Sequence, residues 1–169
     1  MSTIYISGVF DMPDHVERYL PRYLLSVIQP AFQPERPPEI AEEDHLRVAV
    51  HDIWQAEPGS VLPGSSHVER IVEFAKAWQP DLGAVHVHCY AGVSRSTATA
   101  LILHAVQTGD PLESARALRA AAPHAAPNRR IIELADALLD WDGGLQAAVQ
   151  SMGPRSELMR DEYLTILEL

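Results

Sequence analysis

The sequence predicts an α/β fold, a three-layer α/β/α sandwich around a mostly parallel central sheet. Strand-like and helix-like segments alternate through the first two thirds of the chain, and the last third is a succession of helical segments. Residues 23–28 (YLLSVI) form a nearly continuous apolar run, as expected of a strand that is covered on both faces. The length of 169 residues suits one domain with a buried core, so residues 1–169 are taken as a single domain.

The first half of the chain predicts three strands and one short helix. Residues 3–9 are rich in β-branched and aromatic side chains, which favours a strand, and residues 14–20 fit a helix that Pro21 ends. Residues 23–28 and residues 46–50 are the second and third predicted strands.

Two loops flank the third predicted strand. Residues 30–43 combine several prolines with charged side chains, which predicts an ordered surface loop that is too short to link two domains. Residues 51–63 predict a long loop after the strand. This second loop is a candidate functional segment, because ligands bind beyond the carboxyl ends of the strands in sheets of this kind.

The middle of the chain predicts a helix, a strand and a second helix. Residues 66–69 (SHVE) fit a capping box, and the helix that they start ends near Trp78. Residues 84–88 predict a strand, and residues 95–107 an apolar helix with Gly109 as its C-cap.

The last third predicts further helices. Asp110 and Pro111 suit the N-cap and first position of one helix, and Asn128 can cap a helix over residues 129–139. The chain from Gly143 onward is predicted to be helical and amphipathic. Its apolar stripe is more typical of packing within the chain than of a partner surface, and consists of Leu158, Met159, Tyr163, Leu164 and Leu167.

Composition excludes several classes of function. A net charge of −10 and a pI near 5.1 are opposite to the balance of a nucleic-acid binder. No run is apolar enough to span a membrane and no basic leader precedes one, so we expect a cytoplasmic protein without a membrane anchor. The single cysteine, Cys89, excludes an internal disulfide and a cysteine-based zinc site. Nothing in the sequence sets the oligomeric state.

Residues 85–97 (VHVHCYAGVSRST) carry the clearest chemical signal. A strand runs into Cys89, a short uncharged loop follows, and a helix begins at Arg95. Backbone N–H groups of such a loop can converge on an anion at a helix N-terminus, and Gly92 supplies the backbone freedom that a tight loop needs. The planar guanidinium of Arg95 matches two phosphate oxygens. The pattern predicts a phosphate-binding cradle.

The helix N-terminus and the guanidinium of Arg95 would also stabilise a thiolate at Cys89. This makes Cys89 a candidate nucleophile rather than an inert core cysteine. His88 can hydrogen-bond the loop backbone and hold its geometry. Ser96 can donate its hydroxyl proton to the sulfur and ease the departure of the thiolate.

This stretch resembles the signature of the protein tyrosine phosphatase superfamily, in the His-Cys-x-Ala-Gly-Val-Ser-Arg-Ser form typical of dual-specificity phosphatases. The resemblance extends over residues 46–139. It implies attack by Cys89 on phosphotyrosine in a phosphorylated protein, with phosphoserine and phosphothreonine left open as further substrates. It also implies a phosphocysteine intermediate, hydrolysis by water, and no metal or other cofactor. It also implies a phosphate-binding set of Tyr90, Ala91, Gly92, Val93, Ser94 and Arg95.

The resemblance further implies a general acid on a loop upstream of the cysteine. Asp52 directly follows the predicted strand of residues 46–50, as in the family's pattern, and is the favoured residue. Glu57 is the alternative, because its spacing to the cysteine is nearer the family's common one. The loop of residues 51–63 is longer than usual in this family.

Plainer interpretations compete for the neighbouring residues. His86 and His88 could suggest a metal pair, but no third ligand is evident. Asn128, with the arginines that follow it, could reach the phosphate loop or could simply cap a helix. Trp54 could flank a substrate or pack against the protein.

Three other functions share parts of this pattern. A phosphoinositide phosphatase usually carries lysines within the loop, whereas residues 90–94 have no charge. A rhodanese-like sulfurtransferase does not fit the His before Cys89 or the Arg-Ser pair after the loop. A non-catalytic phosphate-binding module usually loses the cysteine, the arginine or the acid, and this chain retains candidates for all three.

Overall fold

The computed structural model describes residues 2–157 and 164–169. The elements, in chain order, are β1 (Thr3–Gly8), α1 (Met12–Tyr19), β2 (Tyr23–Ile28), β3 (His45–Ala49), α2 (Ser65–Ala77), β4 (Val85–Cys89), α3 (Arg95–Thr108), α4 (Pro111–Ala121), α5 (Arg129–Leu138), α6 (Gly144–Ser151) and β5 (Thr165–Glu168). Short 3₁₀ turns lie at Pro30–Phe32, Glu42–Asp44 and Pro80–Leu82. The predicted α/β class is confirmed.

The sheet has the strand order β3-β2-β4-β1-β5. The pairs β2–β3, β2–β4 and β1–β4 are parallel, and β5 is antiparallel to β1 at one edge. The central strands β2, β4 and β1 therefore bring their carboxyl ends to the same edge of the sheet, where a ligand site is expected.

The predicted helical character of the whole segment after Gly143 was wrong. Helix α6 ends at Ser151, and Thr165–Glu168 form the edge strand β5. Alternating burial explains the pairing, since Thr165 and Leu167 are buried and Ile166 is exposed. Of the apolar stripe predicted in this segment, Leu164 is half-buried and Leu167 lies in the core, whereas Leu158, Met159 and Tyr163 fall outside the described residues.

Strand β4 separates two layers of different chemistry. Val85 and Val87 join the main core, which is shared with α3, and the alternation of a strand places Cys89 on the same side. His86 and His88 point to the opposite face and are both fully buried. On that face Met12 and Val16 of α1 form a small apolar cluster with Leu24 of β2 and Ile40 of the loop after β2. The helical layer on this face of the sheet is thus formed by the short helix α1.

The start of α2 differs from the predicted capping box. The helix begins at Ser65, and Gly64, not Ser66, is its N-cap. His67 Nδ1 accepts the backbone N–H of Gly64 at 3.1 Å, so a histidine takes the role that was predicted for Glu69.

The other predicted caps are confirmed. Gly109 ends α3 in the left-handed conformation, and Asp110 accepts the N–H groups of the first turn of α4. Asn128 Oδ1 accepts the N–H of Ile131 at 3.0 Å and caps α5. Among the described residues, none of the helices has the length and apolarity needed to cross a lipid bilayer.

Candidate active site

The loop between β4 and α3 is pressed against the end of β1. Gly92 has φ +73°, and a Cβ there would lie 2.7 Å from the carbonyl carbon of Ser7. A Cβ on Gly8 would lie 2.9 Å from the backbone oxygen of Tyr90, and the N–H of Val9 donates to that oxygen at 3.2 Å. Two glycines therefore allow the close approach of backbones that shapes the loop.

A cavity of about 340 Å³ opens at this edge of the sheet. Its lining comes from three segments that converge there: Gln29, Phe32, Asp52, Cys89, Tyr90, Ala91, Val93, Ser94 and Arg95. All but one of the residues predicted to bind phosphate line it. The exception is Gly92, whose backbone faces β1.

Cys89 lines the cavity and is only 2% exposed. Its Sγ is 3.1 Å from Ser96 Oγ, in the first turn of α3. Because the hydroxyl can donate to a sulfur that carries negative charge, this contact places a proton donor beside the candidate nucleophile.

Arg95 is buried, lines the same cavity as Cys89, and is held by residues that directly follow two neighbouring strands. One of its terminal nitrogens donates to Gln29 Oε1 at 2.6 Å and to the backbone oxygen of Val50 at 2.9 Å. Its Nε is buried and has no hydrogen-bond partner among the residues that the structure describes. The guanidinium is therefore fixed in place while one of its donors remains unsatisfied, as an anion site requires.

His88 begins a chain of hydrogen bonds that runs away from the cavity. Its Nδ1 is 3.4 Å from the backbone oxygen of Cys89, and its Nε2 is 2.7 Å from Ser26 Oγ. Ser26 Oγ is in turn 2.8 Å from His45 Nε2. Since a carbonyl only accepts, Nδ1 of His88 carries the proton, Ser26 donates to His88, and His45 donates to Ser26.

Burial keeps His88 and His45, the two histidines of this hydrogen-bond chain, neutral. Desolvation lowers the pKa of His88 to about 4, although its hydrogen bond to Cys89 opposes the shift. Desolvation and the nearby guanidinium of Arg47 lower the pKa of His45 to about 4. In neutral His88 one ring nitrogen donates and the other accepts, as its hydrogen bonds to Cys89 and Ser26 require.

Asp52 follows β3 and lines the same cavity as Cys89. Its Oδ1 accepts hydrogen bonds from Ser94 Oγ at 2.6 Å and from Asn128 Nδ2 at 2.8 Å. The backbone N–H of Asn128 also donates to the oxygen of Ser94 at 3.1 Å. Asn128 thus caps α5 and joins the phosphate loop to Asp52, which combines both roles considered from the sequence. Glu57 is exposed and does not line the cavity.

An aromatic rim borders one side of the cavity. The ring of Tyr90 makes edge contacts with Phe10 and Phe32, at centroid distances of 5.6 Å and 5.1 Å, and all three rings are partly exposed. Trp54 lies elsewhere, in an adjacent cavity.

Sequence reasoning missed several residues of this site. Gln29 and Phe32 follow the carboxyl end of β2, and the rule that placed Asp52 after β3 would have suggested them. His124 hydrogen-bonds the backbone of Gly92 from the loop after α4, and burial lowers its pKa. Nothing in its sequence context indicates that contact.

The histidine pair considered as a metal site points away from the cavity. His86 Nε2 bonds to Ser7 Oγ at 2.8 Å, while His88 bonds to Ser26. Within residues 2–157 and 164–169, no group of three or more His, Cys, Asp or Glu side chains is arranged to hold a metal ion.

The fold is similar to those of solved phosphatase structures. Human DUSP28 is 20% identical, with a TM-score of 0.59 over 89% of this chain and 90% of that chain. A mouse putative dual specificity phosphatase complexed with zinc tungstate is 23% identical, with a TM-score of 0.61 over 90% and 89% of the two chains. PTPMT1 in complex with PI(5)P is 17% identical, with a TM-score of 0.55 over 88% and 91%.

No family model matches the sequence, and a search of curated proteins found no match. The similarity to solved structures alone establishes a dual-specificity-phosphatase-like fold. The activity has to be argued from the residues of the cavity.

Proposed function

We propose that this chain, with its dual-specificity-phosphatase-like fold, is a cysteine-dependent phosphatase that acts on phosphotyrosine in proteins. One observation carries the proposal: Cys89 and the fixed guanidinium of Arg95 share one cavity, and the buried Nε of Arg95 has no hydrogen-bond partner within the described part of the chain. A phosphate beside the sulfur would satisfy that donor. The aromatic rim of Phe10, Tyr90 and Phe32 supports an aryl leaving group, because it offers apolar contact next to the phosphate position.

In the first chemical step, the thiolate of Cys89 attacks phosphorus. A sulfur–phosphorus bond forms as the bond from phosphorus to the tyrosine oxygen breaks, and that oxygen takes a proton from Asp52. Arg95 contacts the phosphate oxygens in both the ground state and the transition state. The two hydrogen bonds to Asp52 both reach Oδ1, so Oδ2 is the oxygen assigned to carry the transferred proton.

In the second step, water attacks the phosphocysteine. Asp52, now a carboxylate, accepts a proton from the water, and the sulfur departs as a thiolate. The hydroxyl of Ser96, 3.1 Å from the sulfur, stabilises that thiolate by donating a hydrogen bond. Phosphate then leaves, and the starting protonation states are restored because the attacking water has returned a proton to Asp52.

A phosphoinositide substrate is the second candidate, since PTPMT1, whose fold is similar, was crystallised with PI(5)P. The uncharged loop of residues 90–94 favours the protein substrate. A purely phosphate-binding protein without turnover is the third candidate, and the presence of Cys89, Arg95 and Asp52 on one cavity argues against it.

The test is hydrolysis of phosphotyrosine, phosphoserine and phosphothreonine peptides and of a soluble phosphoinositide, with metal ions chelated. We expect turnover to be fastest with phosphotyrosine and to be abolished in Cys89→Ser, which should still bind the peptide. Arg95→Ala should lose both binding and rate. Peptide binding without turnover by the wild-type protein would show a binding module, and faster turnover of the lipid would exchange the first two candidates.

A further inference from the structure

The segment that joins α4 to α5 donates backbone hydrogen bonds to the loop after Cys89. The N–H of Ala126 donates to the carbonyl oxygen of Val93 at 3.0 Å, and the N–H of Asn128 donates to the carbonyl oxygen of Ser94 at 3.1 Å. Donors two residues apart in one segment therefore hold the carbonyl groups of successive residues in the loop.

His124 extends this pattern by one step, with a side chain in place of a backbone donor. Burial lowers the pKa of His124, and its hydrogen bond with the backbone of Gly92 opposes that shift. A bond that favours the protonated imidazole is one that the ring donates, so the acceptor is the carbonyl oxygen of Gly92. His124 is 8% exposed and does not line the cavity that contains Cys89. It therefore acts on the loop and not on a bound substrate.

Peptide planarity links each of these three carbonyl groups to an N–H group of the cradle. The peptide bonds of the loop are trans, and in a trans peptide the C=O of one residue and the N–H of the next point in opposite directions. Holding the carbonyl of Gly92 therefore sets the direction of the N–H of Val93. By the same rule, the bonds to Val93 and Ser94 set the N–H groups of Ser94 and Arg95. Val93, Ser94 and Arg95 all line the cavity that contains Cys89.

Gly92 is the residue of the loop whose backbone most needs an external hold. A glycine has more accessible backbone conformations than other residues, and this one has φ +73°. The end of β1 restricts it from one direction, because a Cβ there would lie 2.7 Å from the carbonyl carbon of Ser7. The hydrogen bond from His124 restricts the orientation of its carbonyl.

The backbone on either side of His124 is itself held. Arg119 donates to the carbonyl oxygen of Pro123 at 2.7 Å and to that of Ala125 at 3.0 Å. A buried side chain on a fixed backbone has few other conformations, so it can hold its partner accurately.

We propose that His124 is a positioning residue of the phosphate cradle, which directs the N–H of Val93 towards the bound phosphate by holding the carbonyl of Gly92. The inference rests on the proposed phosphatase function and adds to it a residue outside the cavity. The two peptide groups that follow Val93 and Ser94 are held by main-chain donors, which a side-chain substitution does not remove. The peptide group that follows Gly92 is held by a side chain, so its orientation can be tested by mutation.

The experiment measures kcat and KM for an aryl phosphate, and Kd for inorganic phosphate by calorimetry, in the wild type and in His124→Phe. This variant keeps an aromatic ring and removes both nitrogen atoms. We expect Kd to rise by about fivefold or more, because a donor to an anion is misdirected. We expect kcat to fall by about tenfold or more, because such a donor matters most for the charge of the transition state. His124→Asn and His124→Gln place an amide donor near the Nδ1 and Nε2 positions, and one of them should recover part of both losses.

His104→Phe is the matched control. His104 is 4% exposed, and its Nε2 donates to the backbone oxygen of Glu168 at 3.1 Å, so it makes the same kind of contact at the edge strand β5. Its replacement should lower the stability measured by urea unfolding and should leave Kd, KM and kcat unchanged. A general loss of stability is thereby separated from a misdirected cradle.

A measurement on the wild type does not depend on the folding of any variant. In a phosphate titration followed by NMR, the amide proton of Val93 should move downfield as it donates to the anion. In His124→Phe this movement should shrink. The movement of the Arg95 amide should remain, because Asn128 still holds the carbonyl of Ser94.

Each failure has a different signature. Turnover by the wild type, with Kd, KM and kcat unchanged in His124→Phe, would overturn this inference and leave the phosphatase proposal intact. Equal losses of binding and rate in His104→Phe would assign the effect to stability and would also overturn it. A Val93 amide that does not respond to saturating phosphate in the wild type would overturn it even if no variant folds. Phosphate binding that depends on His124, without turnover, would overturn the phosphatase proposal alone. A wild type that neither binds phosphate nor turns over would overturn both.

Discussion

The neutral state of His88 makes the stability of this protein depend on pH in a calculable way. His88 is fully buried, and desolvation lowers its pKa from 6.5 to about 4. Between those pH values the unfolded chain binds a proton at this residue and the folded chain does not. The free energy of unfolding must therefore fall as the pH falls from 6.5 towards 4. At about 1.4 kcal/mol per pH unit, the contribution of His88 is about 3 kcal/mol.

The assay compares urea unfolding of the wild type and of His88→Gln at several pH values from 7 to 4. His88→Gln should be less stable at pH 7, because Ser26 loses the acceptor at 2.7 Å, and its stability should fall less on acidification. Groups that do not interact with His88 contribute equally in both proteins, so their effects cancel in the difference between the two curves.

The difference in free energy of unfolding between wild type and His88→Gln should therefore change by about 3 kcal/mol from pH 7 to pH 4. Parallel curves, with a difference that changes by less than about 1 kcal/mol, would refute the conclusion that burial holds His88 neutral. Ser26→Ala keeps the imidazole and should keep the steep pH dependence of the wild type.

Three further predictions concern the cavity itself. Gly92→Ala should destabilise the fold by more than about 1–2 kcal/mol, because a left-handed backbone and a 2.7 Å approach to Ser7 both oppose a Cβ. Thermal unfolding measures this loss of stability, and an unchanged Tm would contradict it. Asp52→Asn should lower kcat for phosphotyrosine by about 10²–10⁴, and for an activated aryl phosphate by less, because a good leaving group needs little protonation. If Glu57→Gln shows this dependence on the leaving group and Asp52→Asn does not, Glu57 is the general acid. Mild peroxide should abolish the proposed phosphatase activity, bound phosphate should protect it, and mass spectrometry should find added oxygen on the Cys89 peptide, since no second cysteine can form an internal disulfide. Full activity after treatment would contradict a reactive thiolate at Cys89.

The strand–loop–helix around Cys89 could be predicted because its chemistry is local in sequence. A cysteine at a strand end, a glycine and an arginine at a helix start suffice to predict a phosphate cradle. The parallel sheet was predictable for a similar reason, since residues 23–28 are apolar without alternation, as in a strand buried on both faces.

The supporting contacts depend on strand register and on distant loops, which a single sequence does not reveal. The chain from His45 through Ser26 to His88 exists because β2 pairs with both β3 and β4, with Ser26 opposite His88. The bond from Asn128 to Asp52 joins residues 76 positions apart. Strand β5 was mistaken for helix because a four-residue alternation is too short to distinguish the two periods.

Trapping the phosphocysteine is the most direct test of Cys89 as the nucleophile. Asp52→Asn protein would be mixed with an activated aryl phosphate and quenched in acid within one turnover, and its peptides analysed by mass spectrometry. The good leaving group needs little protonation, while the water step lacks its base, so the intermediate should accumulate. We expect one phosphate on the peptide that contains Cys89, and none when Cys89→Ser is added. Phosphate on another residue, or undiminished turnover by Cys89→Ser, would contradict it.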